Sequence, residues 1–302
     1  MEIKCEIAKT KDIKEIKKLF ETNFNVKKEE IDLFFNKKFE LNNCLVCKVN
    51  DNTVASALHL MEATILCKSF NEKAYYVYAA STLPEYRNNG LMRTLLEYSV
   101  LISKEKGKKY LILLPETKSL YEFYEKLGYK KFFRAYHLKL SRKKLCEILE
   151  SNSNKKDAEI YKISKTKDQC DLVLDSLKTV YKDIGGVLFN KGHINYAIEQ
   201  NILYAGMSII ENFGFAFCSP QKDNSSLEIC EFFLTDKKYL FNMLFKIFKN
   251  FDNFNEYTFK MPINYFDGIL KSKAECCGMV RSVGNSEEIF KFLSSAYMGF
   301  TL

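Results

Sequence analysis

The chain has 302 residues, is 47% apolar and 28% charged, and carries a formal net charge of +8. This length allows two domains of about 150 residues each, and the apolar fraction excludes a disordered chain. No apolar run approaches the roughly 18 residues of a membrane helix, and the opening MEIKCEIAKT lacks the apolar core of a signal peptide, so we expect a globular cytoplasmic protein without a membrane partner.

The first half of the chain alternates short apolar strands with amphipathic helices. Thr10 can cap the first helix, and Gly107 and Gly128 can end two later helices. The predicted strands cover 3–9, 43–49, 53–66, 73–82, 109–115 and 129–140, and the predicted helices cover 11–24, 29–39, 91–106 and 119–128. The order β-α-α-β-β-β-α-β-α-β predicts an α/β fold with a mixed sheet and helices on both of its faces.

A stretch rich in Ser, Asn and Lys follows residue 141 and predicts a domain boundary, with one domain over 1–141 and another over 158–302. The second half repeats the same kinds of element more loosely, which makes an internal duplication plausible. Its predicted elements are a strand at 159–164, a helix at 167–181, a hairpin that turns at Glu211 and Asn212, a strand at 227–235, a helix at 237–251, a strand at 257–263, and a closing helix and strand within 289–302.

The charge and cysteine patterns limit the possible partners. The basic excess lies in the first half and favours an anionic ligand such as a phosphorylated cofactor, although a lysine-rich solvated surface is the alternative. No arginine-rich block alternates with aromatic residues, so we expect no nucleic-acid partner. Cys44 and Cys47 form a C-x-x-C pair within a predicted strand, where residues three apart face opposite ways. With no second pair at zinc spacing, we expect reduced, mostly buried thiols and no metal.

The segment LPEYRNNGLMRTLL, residues 83–96, places a polar turn without an acidic side chain between a strand and a helix. The first amides of a helix lack intrahelical partners and carry partial positive charge, which suits a phosphate. Gly90 allows the backbone to approach a ligand closely, and Arg87 and Arg93 add formal charge. The turn therefore suits a pyrophosphate, although a purely structural turn is the alternative, and it is neither a P-loop nor a dinucleotide fingerprint.

The segment LPEYRNNGLM resembles the acetyl-CoA motif of the GNAT N-acetyltransferases, Arg/Gln-x-x-Gly-x-Gly/Ala. The strand order of residues 1–140 and the downstream YEFYEKLGYKKFF resemble the same family. The run RNNGLMR is most similar to the Eis-type acetyltransferases, in which a degenerate GNAT-like domain follows the first one. Met92 departs from the general motif but is compatible with the Eis type. The second half lacks the motif, and Asp236 stands where a phosphate would lie, so we expect no second cofactor site.

The resemblance implies a site for acetyl-CoA as co-substrate. The backbone of residues 80–82 would pair with the pantetheine arm and polarise the thioester carbonyl, and the turn would hold the pyrophosphate. Tyr124 matches the family's tyrosine beside the sulfur and would protonate the leaving thiolate, whereas Tyr121 and Tyr129 are predicted to be packing residues. The predicted cofactor residues are Ala80, Ser81, Thr82, Arg87, Asn88, Asn89, Gly90, Leu91, Met92, Arg93 and Ser119.

The sequence does not identify the general base that removes a proton from the amine. An alkylamine with a pKa of ~10.4 must lose a proton before it attacks the thioester. The candidates are His59, Glu62, Glu116, Glu122, the C-terminal carboxylate of Leu302, and a chain of water molecules. His137 and His193 are predicted to be structural or exposed.

The implied function is transfer of an acetyl group from acetyl-CoA to a primary amine of a small molecule or a peptide. The second domain would shape the acceptor cleft. A non-catalytic acyl-CoA-binding protein and a scaffold that has the fold without a ligand are the alternatives. The sequence identifies neither the acceptor nor the oligomeric state, and an oligomer is possible.

Overall fold

A computed structural model of the protein describes residues 2–50, 53–155, 168–221, 223, 225–284 and 288–299. By its internal packing the chain divides into two compact units. The first unit contains residues 1–65, 70–132 and 278–292, and the second contains 66–69, 133–277 and 293–302. The division differs from the predicted domains 1–141 and 158–302, because it falls near residue 132 and assigns a C-terminal segment to the first unit.

The first unit begins with the predicted β-α-α-β-β-β-α-β-α order, and each strand lies within three residues of its expected position. Strands β1, β2, β3, β4 and β5 are neighbours in that order in the sheet, with β1–β2–β3 antiparallel and β4–β5 parallel. The bounds are β1 Ile3–Ile7, α1 Ile13–Asn23, α2 Lys28–Lys37, β2 Cys44–Val49, β3 Thr53–Cys67, β4 Phe70–Thr82, α3 Leu91–Glu105, β5 Tyr110–Leu113 and α4 Lys118–Glu125.

The sheet of the first unit is covered on both faces, as the sequence predicts. Successive side chains of β2 point to opposite sides of the sheet. Leu45 and Val49 pack with Leu91 and Leu95 of α3, whereas Val46 packs with Ile16 of α1. This double coverage explains why β2 is buried at every position, including Lys48, which forms ion pairs with Glu6 and Asp12.

The C-terminal segment adds a strand to the first unit that the sequence did not predict. Strand β12 is Lys273–Ser282, and its second half pairs antiparallel with β5, where Met279 opposes Leu113 and Ser282 opposes Tyr110. Arg281 forms two hydrogen bonds with the Glu97 carboxylate of α3, at 3.0 and 2.9 Å. The first sheet is therefore completed by residues more than 160 positions downstream.

The second unit also combines an antiparallel hairpin with a parallel pair of strands. Strand β6, Lys130–Ser141, continues into it and pairs antiparallel with β11, and the strand order is β6-β11-β10-β9-β8. The β10–β11 pair is parallel, and β8–β9–β10 is antiparallel. The remaining bounds are α5 Arg142–Glu150, α6 Gln169–Ile184, β7 Gly186–Phe189, α7 Lys191–Leu203, β8 Met207–Glu211, β9 Gly214–Pro220, β10 Ser226–Leu234, α8 Leu240–Asn250, β11 Glu256–Met261 and, in the first unit, α9 Glu288–Phe292.

The predictions for the second half have mixed outcomes. The helix at 167–181, the hairpin, the strands at 227–235 and 257–263, and the helix at 237–251 are present with shifted ends, whereas β7 and α7 were not predicted. After α9, the described residues form two isolated bridges, Phe133 with Ala296 and Gly186 with Tyr297, in place of the predicted closing strand. The predicted strand at 159–164 lies outside the described residues.

The expectation that all cysteines are reduced is wrong. Cys5 and Cys47 form a disulfide between β1 and β2, where they are directly opposed and their Cα atoms are 4.3 Å apart. Cross-strand register creates this contact, and the 42-residue separation in sequence gave no indication of it. Among the described helices, none combines the length and apolarity needed to cross a membrane.

Candidate functional site

A cavity of about 530 Å³ opens in the first unit beside the N-terminus of α3. It joins the end of β4, the turn after β4, the first residues of α3 and the inner face of α4. Its lining residues are Asn23, Ala80, Ser81, Thr82, Tyr86, Arg87, Asn88, Gly90, Leu91, Met92, Arg93, Leu120, Phe123 and Tyr124. Its size is within the range of small-molecule sites.

The end of β4 contributes one wall of the cavity. The register of β4 against β5 extends only from Ala74 to Tyr76, so the last residues of β4 lie beyond that pairing. Ala79 has a φ of +50°, an unusual value for a residue with a side chain, and it redirects the strand just before the cavity. Ser56 of β3 holds the strand end from the other side, through hydrogen bonds of 2.9 Å to the Ser81 carbonyl and the Thr82 hydroxyl.

The turn between β4 and α3 is fixed by its own side chains. Asn88 and Gly90 both adopt the left-handed conformation, with φ of +63° and +78°. The Arg87 guanidinium donates to the Asn23 side-chain oxygen at 2.7 Å and to the Thr82 carbonyl at 3.3 Å. Asn89 turns away from the cavity and donates to two carbonyls of the turn. These contacts hold the backbone in one shape without occupying the cavity.

The N-terminus of α3 leaves its first amides available. The Thr94 amide makes the first helical bond, to the Gly90 carbonyl at 3.0 Å, so the amides of Leu91, Met92 and Arg93 precede the helical ladder. No side chain caps this helix start, and its first turn contains no acidic residue. The positive end of the helix dipole therefore faces a lining that contributes no negative charge.

Tyr124 of α4 forms the wall opposite the turn. Its side chain is only 8% exposed, and its ring packs edge-on against Tyr129 at 5.5 Å between centroids. Burial raises the pKa of Tyr124 to about 12, so the phenol stays protonated at neutral pH. Tyr129 is different because its hydroxyl is fully enclosed and has no hydrogen-bond partner within the described residues. Tyr124 is thus a lining residue of the cavity with a protonated phenol, whereas Tyr129 is a packing residue.

The structure brings most of the predicted site residues together and leaves out two of them. Ser119 is exposed at the start of α4, where its hydroxyl lies 3.0 Å from that of the capping residue Thr117, and it does not line the cavity. Asn89 lies in the turn but faces outward. The residues that the prediction missed are Asn23, Tyr86, Leu120 and Phe123. Leu120 stands one helical turn before Tyr124 and could have been predicted from that spacing, whereas Asn23 comes from the distant end of α1.

None of the candidate bases within the described residues lines the cavity. His59 is enclosed by the rings of Phe34 and Phe39, and burial lowers its pKa to about 3. Glu62 accepts a hydrogen bond from Lys108 at 2.7 Å, which holds the pKa of its carboxyl below the usual value. Glu116 and Glu122 are exposed elsewhere, and Leu302 lies outside the described residues.

Two further expectations concern sites outside the cavity. In the second unit, the Asp236 carboxylate accepts a hydrogen bond from the Lys238 amide at 2.9 Å and caps the short 3₁₀ helix that leads into α8. The Lys238 amide at this helix start is thus bonded to a carboxylate of the protein itself. His193 stacks on Phe189 at 4.0 Å between ring centroids, as expected of a structural histidine. Within the described part of the chain, no three His, Cys, Asp or Glu side chains converge at a metal-binding distance.

Comparisons with known proteins agree with this geometry. Residues 5–132 match the family model described as "Acetyltransferase (GNAT) domain". A search of curated protein sequences gave no significant match.

Solved structures are similar to this chain over most of its length. The GCN5-related N-acetyltransferase of Anabaena variabilis matches with a TM-score of 0.70 at 14% identity, over 94% of this chain and 73% of its own. The GCN5-related N-acetyltransferase of Kribbella flavida matches with a TM-score of 0.68 at 12% identity, over 93% of this chain and 71% of its own. Eis1 of Mycobacterium abscessus matches with a TM-score of 0.65 at 10% identity, over 94% of this chain and 74% of its own. At these identities the likeness establishes the fold and confirms the predicted GNAT-type α/β class, including the similarity to an Eis protein.

Proposed function

Because residues 5–132 match a family model described as an acetyltransferase (GNAT) domain, we propose that the protein is an N-acetyltransferase that transfers the acetyl group of acetyl-CoA to a primary amine. One observation carries the proposal: a single cavity connects the uncapped amides of α3 with the hydroxyl-bearing residue Tyr124. Binding of an anionic cofactor and hydrogen-bond donation to the leaving thiolate are two functions that an acetyl-CoA-dependent acetyltransferase needs.

The pyrophosphate of the cofactor is assigned to the amides of residues 91–93, with Arg87 and Arg93 as cationic neighbours. Hydrogen bonds from amides to an anion are stronger than those between neutral groups. The Gly90 Cα faces open space, since an ideal Cβ built there meets no atom within 4 Å. A phosphate can therefore approach this backbone closely.

The pantetheine arm is assigned to the end of β4. The backbone of Ala80, Ser81 and Thr82 follows the last β4–β5 pair and borders the cavity, so an extended ligand can add to it as a strand would. An amide of this segment would polarise the thioester carbonyl. The polarised carbonyl carbon is then open to attack by the amine nitrogen.

Tyr124 is assigned to the leaving group. As the amine nitrogen bonds to the carbonyl carbon and the C–S bond breaks, the electron pair of that bond leaves on sulfur as a thiolate. With a phenol pKa of about 12 and a thiol reference of ~8.5, complete proton transfer is uphill by roughly 3.5 pK units. Tyr124 therefore acts mainly as a hydrogen-bond donor to the thiolate. Within the described residues, the charged side chains that line the cavity are those of Arg87 and Arg93, and a guanidinium cannot accept a proton, so we assign proton removal from the amine to water.

A thiol-release assay with a panel of small-molecule and peptide amines tests the proposal. We expect Tyr124→Phe to lower kcat by about 10- to 100-fold, with little change in the KM for acetyl-CoA, because only a transition-state interaction is removed. Tyr121→Phe is the matched control on the same helix, since Tyr121 does not line the cavity. CoA binding without thiol release for any amine would instead establish a non-catalytic acyl-CoA-binding protein. Equal kcat in Tyr124→Phe and wild type would refute the assigned role of Tyr124.

A further inference from the structure

The second unit contains a cavity of its own, of about 310 Å³. Strands β9, β10 and β11 form its floor, and the last turn of α7 forms one wall. The lining residues are Ala197, Gln200, Asn201, Tyr204, Phe217, Ser219, Glu228, Cys230, Glu231 and Lys260. The cavity shares no residue with the site described above.

A β-bulge in β10 directs two adjacent side chains into this cavity. Ile229 opposes Cys218 and Glu231 opposes Phe217, so Cys230 is an extra residue on its strand. In a regular strand, neighbouring side chains point to opposite faces. The bulge changes that alternation, and both Cys230 and Glu231 line the cavity while Ile229 packs in the hydrophobic core.

The floor of the cavity carries a buried carboxylate. Glu231 is only 4% exposed; one oxygen accepts a hydrogen bond from the Tyr297 hydroxyl at 2.7 Å, and the other lies 3.6 Å from the Lys260 ammonium. Glu228 adds a second carboxylate at the exposed rim. Two carboxylates and one ammonium leave the lining with a net negative charge.

Two further features favour a negative electrostatic potential in the cavity. Burial alone would lower the pKa of Lys260, but the carboxylate of Glu231 and more distant negative groups outweigh burial, and the net shift is upward. The wall from α7 consists of its last residues and the C-cap Tyr204, which is the negative end of the helix dipole. A cation in the cavity is therefore favoured.

The remaining lining residues indicate what kind of molecule the cavity can hold. Tyr204 and Phe217 supply aromatic surface, which suits both an apolar group and a cation. Gln200, Asn201 and Ser219 supply polar groups that can orient a ligand. The cavity thus combines a negative field, aromatic surface and hydrogen-bonding groups.

We propose that this cavity binds a small organic cation, a primary amine with an aromatic or apolar body. The ammonium would lie between the Glu228 and Glu231 carboxylates, and the body would pack on Tyr204 and Phe217. All lining residues of the cavity belong to the second unit, and no helix N-terminus that could hold a phosphate is among them.

Isothermal titration calorimetry with tyramine tests this site. Its matched probe is 3-(4-hydroxyphenyl)propionate, which keeps the phenol and replaces the ammonium with a carboxylate. We expect saturable tyramine binding and at least tenfold weaker binding of the carboxylate, since like charges repel in a partly desolvated site. Glu228→Gln should weaken tyramine binding by roughly fivefold, the range of a rim charge.

Two variants test whether the heat of tyramine binding comes from this cavity. Glu147→Gln removes an exposed carboxylate of α5 that does not line the cavity, and it should leave the affinity for tyramine unchanged. Ser219→Phe fills the cavity from β9 and should abolish the binding event while the melting temperature stays near that of wild type. The proposal is overturned by equal affinity for both probes, by no tyramine binding at millimolar concentration, or by unchanged binding in Glu228→Gln or Ser219→Phe.

Discussion

Substituting Gly90 with alanine tests whether the turn before α3 faces the cofactor. Gly90 has a φ of +78° and Gly107, just past the other end of the same helix, has a φ of +66°. An added Cβ meets no atom within 4 Å at either position. The two alanine variants therefore carry the same kind of strain without a clash, and only Gly90 lines the cavity.

The cost to stability should be similar in the two variants. A non-glycine residue in the left-handed region costs about 1–2 kcal/mol. For a domain of this size, each kcal/mol lowers the melting temperature by about 2–4 °C. Gly90→Ala and Gly107→Ala should each melt roughly 2–8 °C below wild type when measured by differential scanning fluorimetry without ligand.

The cost to cofactor binding should differ between the variants. The Cβ of Gly90→Ala would occupy the space assigned to the pyrophosphate and would remove about one amide–anion hydrogen bond, worth about 2 kcal/mol. This corresponds to roughly 30-fold weaker CoA binding by calorimetry. Gly107→Ala should bind CoA as wild type does. Equal affinities in the two variants would show that the turn does not contact the ligand.

Three further predictions follow from other contacts. The pKa of Glu6 is lowered from 4.5 to about 2 by hydrogen bonds from Lys4 and Lys48, so its contribution to stability is complete above pH 4.5 and is lost as pH falls towards 2. When its partial exposure is allowed for, Glu6 should contribute about 1–2 kcal/mol less to the free energy of unfolding at pH 3 than at pH 5, as measured by urea unfolding. The variant Glu6→Gln should show a smaller difference between the two pH values. A chain ending at residue 272 lacks β12 and should lose both CoA binding and the melting transition of the first unit, whereas retention of either would contradict the assigned role of β12. Because the pKa of Tyr124 is about 12, thiol release should show no alkaline decline below pH 11, and a decline centred near pH 9 or 10 would mean that its phenol is not buried during turnover.

The turn before α3 could be predicted from the sequence because everything that forms it is local. The strand at 73–82, the residues of the turn and the apolar face of α3 lie within about 30 consecutive positions, and each follows from propensity, glycine geometry or helix-end chemistry. Ser119 shows the limit of this reasoning. Thr117 caps α4 and lies against the Ser119 hydroxyl, and a position at a helix start does not reveal which way a side chain faces.

The features that could not be predicted depend on distant partners. The β12 sequence KAECCGMVRS is half polar and has no clear alternation, and its strand character comes from pairing with β5. Cys5 and Cys47 become neighbours only through the register of β1 and β2. The charge of the second cavity depends on a one-residue bulge at Cys230, which no periodicity indicates. In each case the deciding contact joins segments that are far apart along the chain.

The helix ends beside the two cavities differ in the charge that they present. In the first unit an N-terminus without a capping side chain borders the cavity, and its amides are available to an external anion. In the second unit the Lys238 amide, in the short 3₁₀ helix that leads into α8, donates to the Asp236 carboxylate, and the cavity borders the C-terminus of α7 instead. Helix-start amides that already bind a protein carboxylate are not available to a phosphate. A capping acid is visible in the sequence, as in TDKK compared with RNNG, so its presence argues against phosphate binding at a helix start.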